Sequence, residues 1–233
     1  IPDELGAGSI VPLVRAVAER VPRVRLLYLY PSDLSDELID VVGGESGVAY
    51  YDLSLQHVSK PLLRRMRRWG DGDRFLRRIE DIRARYPDAA FRSNFIVGYP
   101  GETEDDHDQL LAFVEAAQLD WCGFFAYSRE DGTYAADLDG EVPRSLMDER
   151  LAELRELQDR ITAARRDDLL GEVVDVLVDA PGVARSHREA PEIDGIITVP
   201  EHLEVGAIVP VRITGAEGPD SVAEPLVAAG AGR

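Results

Sequence analysis

The 233-residue chain contains one cysteine, one lysine, one asparagine and no long apolar run. A lone cysteine, Cys122, excludes an intrachain disulfide and any multi-cysteine metal or cluster site built from this chain alone. It lies in the apolar run Trp121-Cys122-Gly123-Phe124-Phe125, where a buried structural thiol is expected rather than a reactive one. No stretch reaches the length of a membrane span, and Ile1-Pro2-Asp3-Glu4 lacks the basic and apolar regions of a signal peptide. A cytoplasmic location with no membrane contact is therefore expected. P-loop, Rossmann glycine fingerprint and zinc-spaced histidines are all missing. The chain opens on isoleucine rather than methionine, which reads as a piece of a longer protein.

Cationic charge is also scarce. The formal net charge is -18, which opposes generic binding to phosphate backbones and suits a basic protein partner. One segment runs the other way. Lys60 to Arg85 holds ten basic residues against four acidic ones. A solvated helix face explains such a run most simply, and a contact with RNA or an acidic partner is the alternative.

What is present is alternation. Helical spacing is expected over Pro12–Arg20, Ser35–Val42, Lys60–Trp69, Asp73–Tyr86 and Glu104–Gln118, and strands over Arg25–Tyr30, Val48–Leu53, Phe91–Val97 and Trp121–Tyr127. Repeated strand and helix units of this length predict an α/β fold with a parallel sheet, open or closed into part of a barrel. Arg144–Leu170 reads as one long connector helix. Beyond Gly171 the period falls to two, and about five short strands predict a small antiparallel β-barrel ending in a frayed Gly/Ala tail, 228–233. The expected divisions are 1–143, 144–170 and 171–227.

Parallel barrels keep their ligand sites at the carboxyl ends of the strands. The most informative exit is Phe91 to Thr103: the apolar run Phe95-Ile96-Val97, a turn forced by Gly98, Pro100 and Gly101, and Thr103 placed to cap a helix at Asp106. Tyr30, Gln56-His57 and Tyr127-Ser128 end the other strands. Arg92 and Asn94 share one face of their strand, with Ser93 opposite. Arg92 is either half of a buried ion pair with a neighbouring carboxylate or a clamp for an anionic ligand group. His57 reads as a structural imidazole before a catalytic one, since no serine or cysteine nucleophile is spaced to it.

Tyr51-Asp52-Leu53-Ser54-Leu55-Gln56-His57, Arg64-Arg65-Met66-Arg67-Arg68, Arg92 to Thr103, and Phe125-Ala126-Tyr127-Ser128 with Gly132-Thr133 together resemble the radical S-adenosylmethionine methylthiotransferases. The order and spacing of these segments cover nearly the whole chain. The resemblance implies a partial (β/α) barrel of radical SAM type followed by a TRAM β-barrel. It also implies S-adenosylmethionine and two four-iron four-sulfur clusters in the parent protein. By position, Gln56, Arg92, Asn94, Gly98, Tyr99, Pro100 and Gly101 are the cofactor-pocket candidates.

Two branches of the family compete, one acting on tRNA adenosine and one methylthiolating the β-carbon of an aspartate in a small-subunit ribosomal protein. Leu26 to Pro31 and Arg188-Glu189-Ala190-Pro191-Glu192-Ile193-Asp194-Gly195 resemble the second, with Arg188, Glu192 and Asp194 as substrate-binding candidates. Eleven acidic residues against three arginines in 171–227 suit a basic ribosomal protein and would repel tRNA. The basic run at 60–85 would then touch ribosomal RNA on the assembled subunit. In the implied chemistry a 5′-deoxyadenosyl radical takes a hydrogen from the aspartate, sulfur is added from a second cluster, and the methyl comes from another S-adenosylmethionine. The family's Cys-x-x-x-Cys-x-x-Cys loop and second-cluster domain are expected upstream of Ile1, so the 233 residues alone should ligate no iron and be inactive. The family's proline in Asp-Leu-Pro-Leu-Gln-His is Ser54 here. A cluster-free module that recognises a ribosomal protein without catalysis is the reading from a different class.

Overall fold

The computed structural model describes residues 10–45 and 47–226, so the expected tail 228–233 lies outside the described residues. The chain divides into two units, up to Gln158 and from Asp159.

The first unit is a three-stranded parallel sheet, β1 (Tyr50–Gln56), β2 (Ala90–Val97) and β3 (Trp121–Ala126), in that spatial order. Helices α1 (Ile10–Ala18), α2 (Asp36–Asp40), α3 (Lys60–Arg65), α4 (Gly72–Arg85) and α5 (Glu104–Ala117) accompany it. In β2 the alternation is clean. Phe91, Ser93, Phe95 and Val97 are buried, while Arg92, Asn94 and Ile96 are half-buried on the other face. The buried face packs aromatic against aromatic: Phe95 stacks on Phe124 with ring centres 5.7 Å apart and meets Phe113 of α5 edge-on.

The helices obey local rules. Phe75, Ile79 and Ile82 place the apolar stripe of α4 inward, and the Asp71 side chain caps its first turn at the Arg74 amide. At the start of α5 the Thr103 hydroxyl accepts the Asp106 amide, and Asp106 accepts the Thr103 amide in return, a reciprocal box of the kind that satisfies two helix-end donors at once.

Two expected elements differ. Arg25–Tyr30 forms no strand: Tyr28 is left-handed at φ 60, and a single bridge, Leu29 to Leu53, ties this segment to β1. Apolar alternation could not register that reversal at a non-glycine residue. The helix expected to reach Trp69 stops at Arg65, because Arg67 turns left-handed (φ 55) and the Arg68 guanidinium is drawn onto the Ser54 carbonyl at 2.7 Å.

Helix α6 (Arg144–Asp167) spans the division. In the second unit β4 (Val173–Ala180), β5 (Val183–Arg185), β6 (Ile197–Thr198), β7 (Ile208–Glu217) and β8 (Asp220–Pro225) close a barrel in the order β4-β5-β6-β8-β7. Val176, Val178, Val211, Ile213 and Ala223 alternate into its core. Four of its pairings are antiparallel as expected; the β6–β8 pairing is parallel.

Candidate functional site

The half-exposed face of the parallel sheet ends in a cavity of about 460 Å³ lined by Gln56, Asn94, Ile96, Tyr99, Phe125, Tyr127 and Ser128, among others. That volume lies within the usual range of small-molecule sites, roughly 300–1,000 Å³. All three strands contribute through their carboxyl ends. Gln56 closes β1 at φ 67, where the β1–β2 register slips between Leu53 and Gln56. Asn94 lies beside Gly123 of β3. A Cβ on Gly123 would stand 2.5 Å from the Asn94 side-chain oxygen, so glycine leaves the amide its room. Tyr99 and Tyr127 meet edge-on at 5.3 Å.

Two polar atoms on this wall are buried without a hydrogen-bond partner, the Asn94 side-chain oxygen and the Tyr127 hydroxyl. Buried polar atoms are ordinarily satisfied, and these two offer an acceptor and a hydroxyl to a ligand with amine or hydroxyl groups. Beside them Phe125 exposes its ring (55%), a surface for a flat apolar group. Such a donor set fits S-adenosylmethionine, which carries an amine, hydroxyls and a purine. It does not fit an iron–sulfur cluster. Cys122 is the chain's one cysteine, its thiol is pushed up by burial, and no group of three or more potential ligands occurs among the described residues.

The expected pocket residues part into three groups. Gln56, Asn94 and Tyr99 line the cavity. Arg92 shares their face, but its guanidinium reaches Asp52 Oδ1 at 3.2 Å in a nearly buried pair, and Asp52 Oδ2 accepts the Tyr28 amide at 2.9 Å. Gly98 and Pro100 line a second cavity of about 460 Å³, which shares Tyr127 with the first. The backbone of the Gly98–Gly101 turn is engaged internally: the Gly98 amide donates to Glu102, the Gly101 amide to the Gly140 carbonyl at 2.7 Å, and the Pro100 carbonyl accepts from Arg65 at 2.8 Å. Positive φ at Gly98 (81°) and Gly101 (90°) makes this path possible.

Sequence reasoning missed the residues that hold the turn. Glu102 lies buried beneath it, and Arg150 of α6 donates to Glu102 at 3.0 Å and to Glu104 at 2.9 Å. The signal in the sequence was weak: a glutamate inside a glycine turn, and an arginine at an inward position of a mostly charged helix. His57 is fully buried, accepts the Ser59 amide on Nδ1 at 3.1 Å, and is brought down to about 4 by burial, so it is neutral near pH 7.

The basic run is largely committed within the fold. Arg65 and Arg68 bind backbone carbonyls, Arg78 and Arg85 pair with Asp36, and Arg83 caps the end of α5 at the Ala117 and Gln118 carbonyls. Arg67 and Arg74 lie over the Tyr134 and Trp69 rings.

In the second unit, the segment between β5 and β6 is held by Glu189, which accepts from Arg166 at 2.6 Å and from the Ser186 amide and hydroxyl. Arg188 is buried there, and Asp194 accepts the Ala190 amide at 2.8 Å. Of the three substrate-binding candidates Glu192 is exposed, left-handed at φ 68 and next to the exposed Ile193.

The three-stranded parallel sheet with a ligand-sized cavity at its strand ends, and the small closed β-barrel in the same chain, correspond to a radical SAM domain and a TRAM domain. The radical SAM superfamily profile matches residues 8–114, and the TRAM domain profile matches residues 170–226. Over at least nine-tenths of its length the chain is similar to part of the RimO methylthiotransferases. It is similar to ribosomal protein uS12 methylthiotransferase RimO of Kineococcus radiotolerans, 43% identical over 95% of this chain and 48% of that protein. The RimO protein of Moorella thermoacetica is 45% identical over 91% of the chain and 50% of its own length. The chain thus spans about half the length of the curated relatives it matches. Among solved structures, coproporphyrinogen III oxidase (HemN) from Escherichia coli, a radical SAM enzyme, superposes with a TM-score of 0.57 over 91% of this chain and 52% of its own, at 14% identity. That likeness is one of fold.

Proposed function

We propose that this chain is the S-adenosylmethionine-binding and substrate-recognising part of an enzyme that methylthiolates the β-carbon of an aspartate in ribosomal protein uS12. The observation that carries the reading is the strand-end cavity, where the Asn94 oxygen and the Tyr127 hydroxyl are buried without partners. When bound there, S-adenosylmethionine supplies a transferable methyl group and a source of a carbon radical. The chain's own residues do the holding. Asn94 accepts from an amine or hydroxyl of the ligand, Gln56 offers an amide from the end of β1, and Phe125 and Tyr99 cover its apolar surface and keep out water.

The cluster ligands have to come from outside these 233 residues, since one cysteine cannot hold a four-iron cluster. Alone, the chain binds the cofactor and does not turn over. Residues 1–143 act as part of the radical SAM barrel, 144–170 as a connector and 171–227 as the TRAM barrel. The acidic balance of the last segment suits a basic ribosomal protein, with Glu192 its most accessible candidate contact. Lys60, Arg64 and Arg77 are exposed and remain available for ribosomal RNA on an assembled subunit. A cytoplasmic setting follows from that substrate; among the described residues no helix is long and apolar enough to cross a membrane.

Isothermal titration of the 233-residue chain with S-adenosylhomocysteine tests the pocket. Saturable one-to-one binding, weakened in Asn94→Leu, is expected. A chain that is folded and shows no binding removes the cofactor reading.

A further inference from the structure

We infer that Arg150 is a positioning residue for the cofactor pocket, acting through Glu102 on the turn that carries Tyr99. The inference rests on the cofactor reading above and extends it to α6, which supplies no residue to the strand-end cavity.

Glu102 is the keystone of the turn. One carboxylate oxygen accepts the Gly98 amide at the exit of β2, and the other accepts Arg150 Nη1 at 3.0 Å. The Glu102 side chain is fully buried and that of Arg150 nearly so, at 3% exposure. Burial pushes the Glu102 carboxyl up, against the lowering effect of the Gly98 amide and of Arg150. Without the guanidinium this carboxylate would be an unpaired charge in the interior, and it would protonate or draw in water, either of which disturbs its bond to Gly98.

The turn has little slack to absorb such a change. Gly98 is left-handed at φ 81, and a Cβ there would stand 2.4 Å from Met147, three residues before Arg150 on the same helix. Tyr99, the next residue, is buried, lines the cavity and meets Tyr127 edge-on. A shift of the Gly98 peptide therefore moves a wall of the pocket. The second guanidinium arm, on Glu104 at 2.9 Å, fixes the orientation of Arg150 from the exposed side.

The test compares Arg150→Met, Arg150→Lys and Leu154→Ala in the 233-residue chain. Leu154 is a fully buried residue of α6 with no part in the turn, so its truncation lowers stability without touching this link. Two readouts are taken: hydrogen exchange of the Gly98 amide and S-adenosylhomocysteine affinity by calorimetry. Arg150→Met is expected to speed Gly98 exchange relative to the neighbouring β2 amides and to weaken binding about tenfold. Arg150→Lys should recover most of the affinity. Leu154→Ala should lower the unfolding midpoint and leave the affinity of the folded chain unchanged. Wild-type affinity in Arg150→Met, or an equal loss in Leu154→Ala, overturns the inference. If the unsubstituted chain binds no S-adenosylhomocysteine, the cofactor reading falls separately. Gly98 exchange then decides the positioning role by itself, and an unchanged rate in Arg150→Met overturns it.

Discussion

The Arg92 guanidinium lies 3.2 Å from one oxygen of Asp52, and the other oxygen of the same carboxylate accepts the Tyr28 amide at 2.9 Å. Asp52 thereby joins β2 to the irregular segment that flanks β1. With Asp52 truncated, a nearly buried guanidinium and a backbone amide both lose a partner. Asp52→Ala is expected to cost about 3 kcal/mol of stability, as for other broken buried pairs. Urea unfolding of the chain measures it, and a loss under about 1 kcal/mol would show that Arg92 finds equivalent partners elsewhere.

Gly123 and Asn94 give a sharper test of the pocket. A Cβ at position 123 would come within 2.5 Å of the Asn94 oxygen and 2.9 Å of the Phe125 ring, so both side chains must shift. Both face the cavity. Gly123→Ala is therefore expected to weaken S-adenosylhomocysteine binding about tenfold while shifting the thermal midpoint by only a few degrees. Unaltered affinity would place the ligand elsewhere.

His57 supplies a pH dependence. Burial lowers its folded-state pKa from 6.5 to about 4, with Asp106 pulling the other way and His107 and Arg150 adding to the depression. Between those values the unfolded chain binds a proton that the folded chain refuses. The contribution of this group is therefore complete above pH 6.5 and is lost as pH falls toward 4. It amounts to about 3 kcal/mol at most. His57→Gln should flatten the fall in urea-unfolding stability between pH 7 and pH 5, relative to the unsubstituted chain. Equal slopes would mean that carboxylates alone carry the acid sensitivity.

The basic run separates into committed and uncommitted charges. Arg68 donates to the Ser54 carbonyl at 2.7 Å and lies over the Tyr30 ring, whereas Lys60, Arg64 and Arg77 are exposed. Reversing the three exposed charges should leave stability within about 0.5 kcal/mol and reduce retention on assembled subunits. Arg68→Glu should destabilise the chain with or without RNA. Unchanged subunit retention in the triple variant would end the ribosomal RNA proposal.

Periodicity made the three parallel strands and the closing barrel legible, because Phe91, Phe95 and Val97, and later Val176, Val178, Val211 and Ile213, alternate over enough residues to fix a buried face. The cap at Thr103 was equally plain, since its chemistry is local to four residues. Arg25–Tyr30 misled for the opposite reason: its pattern suits a strand, and only the left-handed Tyr28, stabilised by the distant Asp52, breaks it. Gln56 and Asn94, singled out on their strands, and Tyr99, singled out as part of the Gly98–Gly101 turn, line the strand-end cavity. Arg92 looked alike in sequence, and its pairing with Asp52 depends on the register of β1 against β2. The link from Arg150 to Glu102 crosses 48 residues and leaves no periodic trace.

The most direct test of the central proposal is mass spectrometry of uS12 and of tRNA from a strain lacking the full-length parent gene, with and without its return. The account predicts that the methylthio group on the uS12 aspartate is lost on deletion, restored by the parent gene and not restored by the 233-residue chain alone, while tRNA is unaffected. A uS12 that keeps its methylthio group while tRNA adenosine loses its own would contradict it.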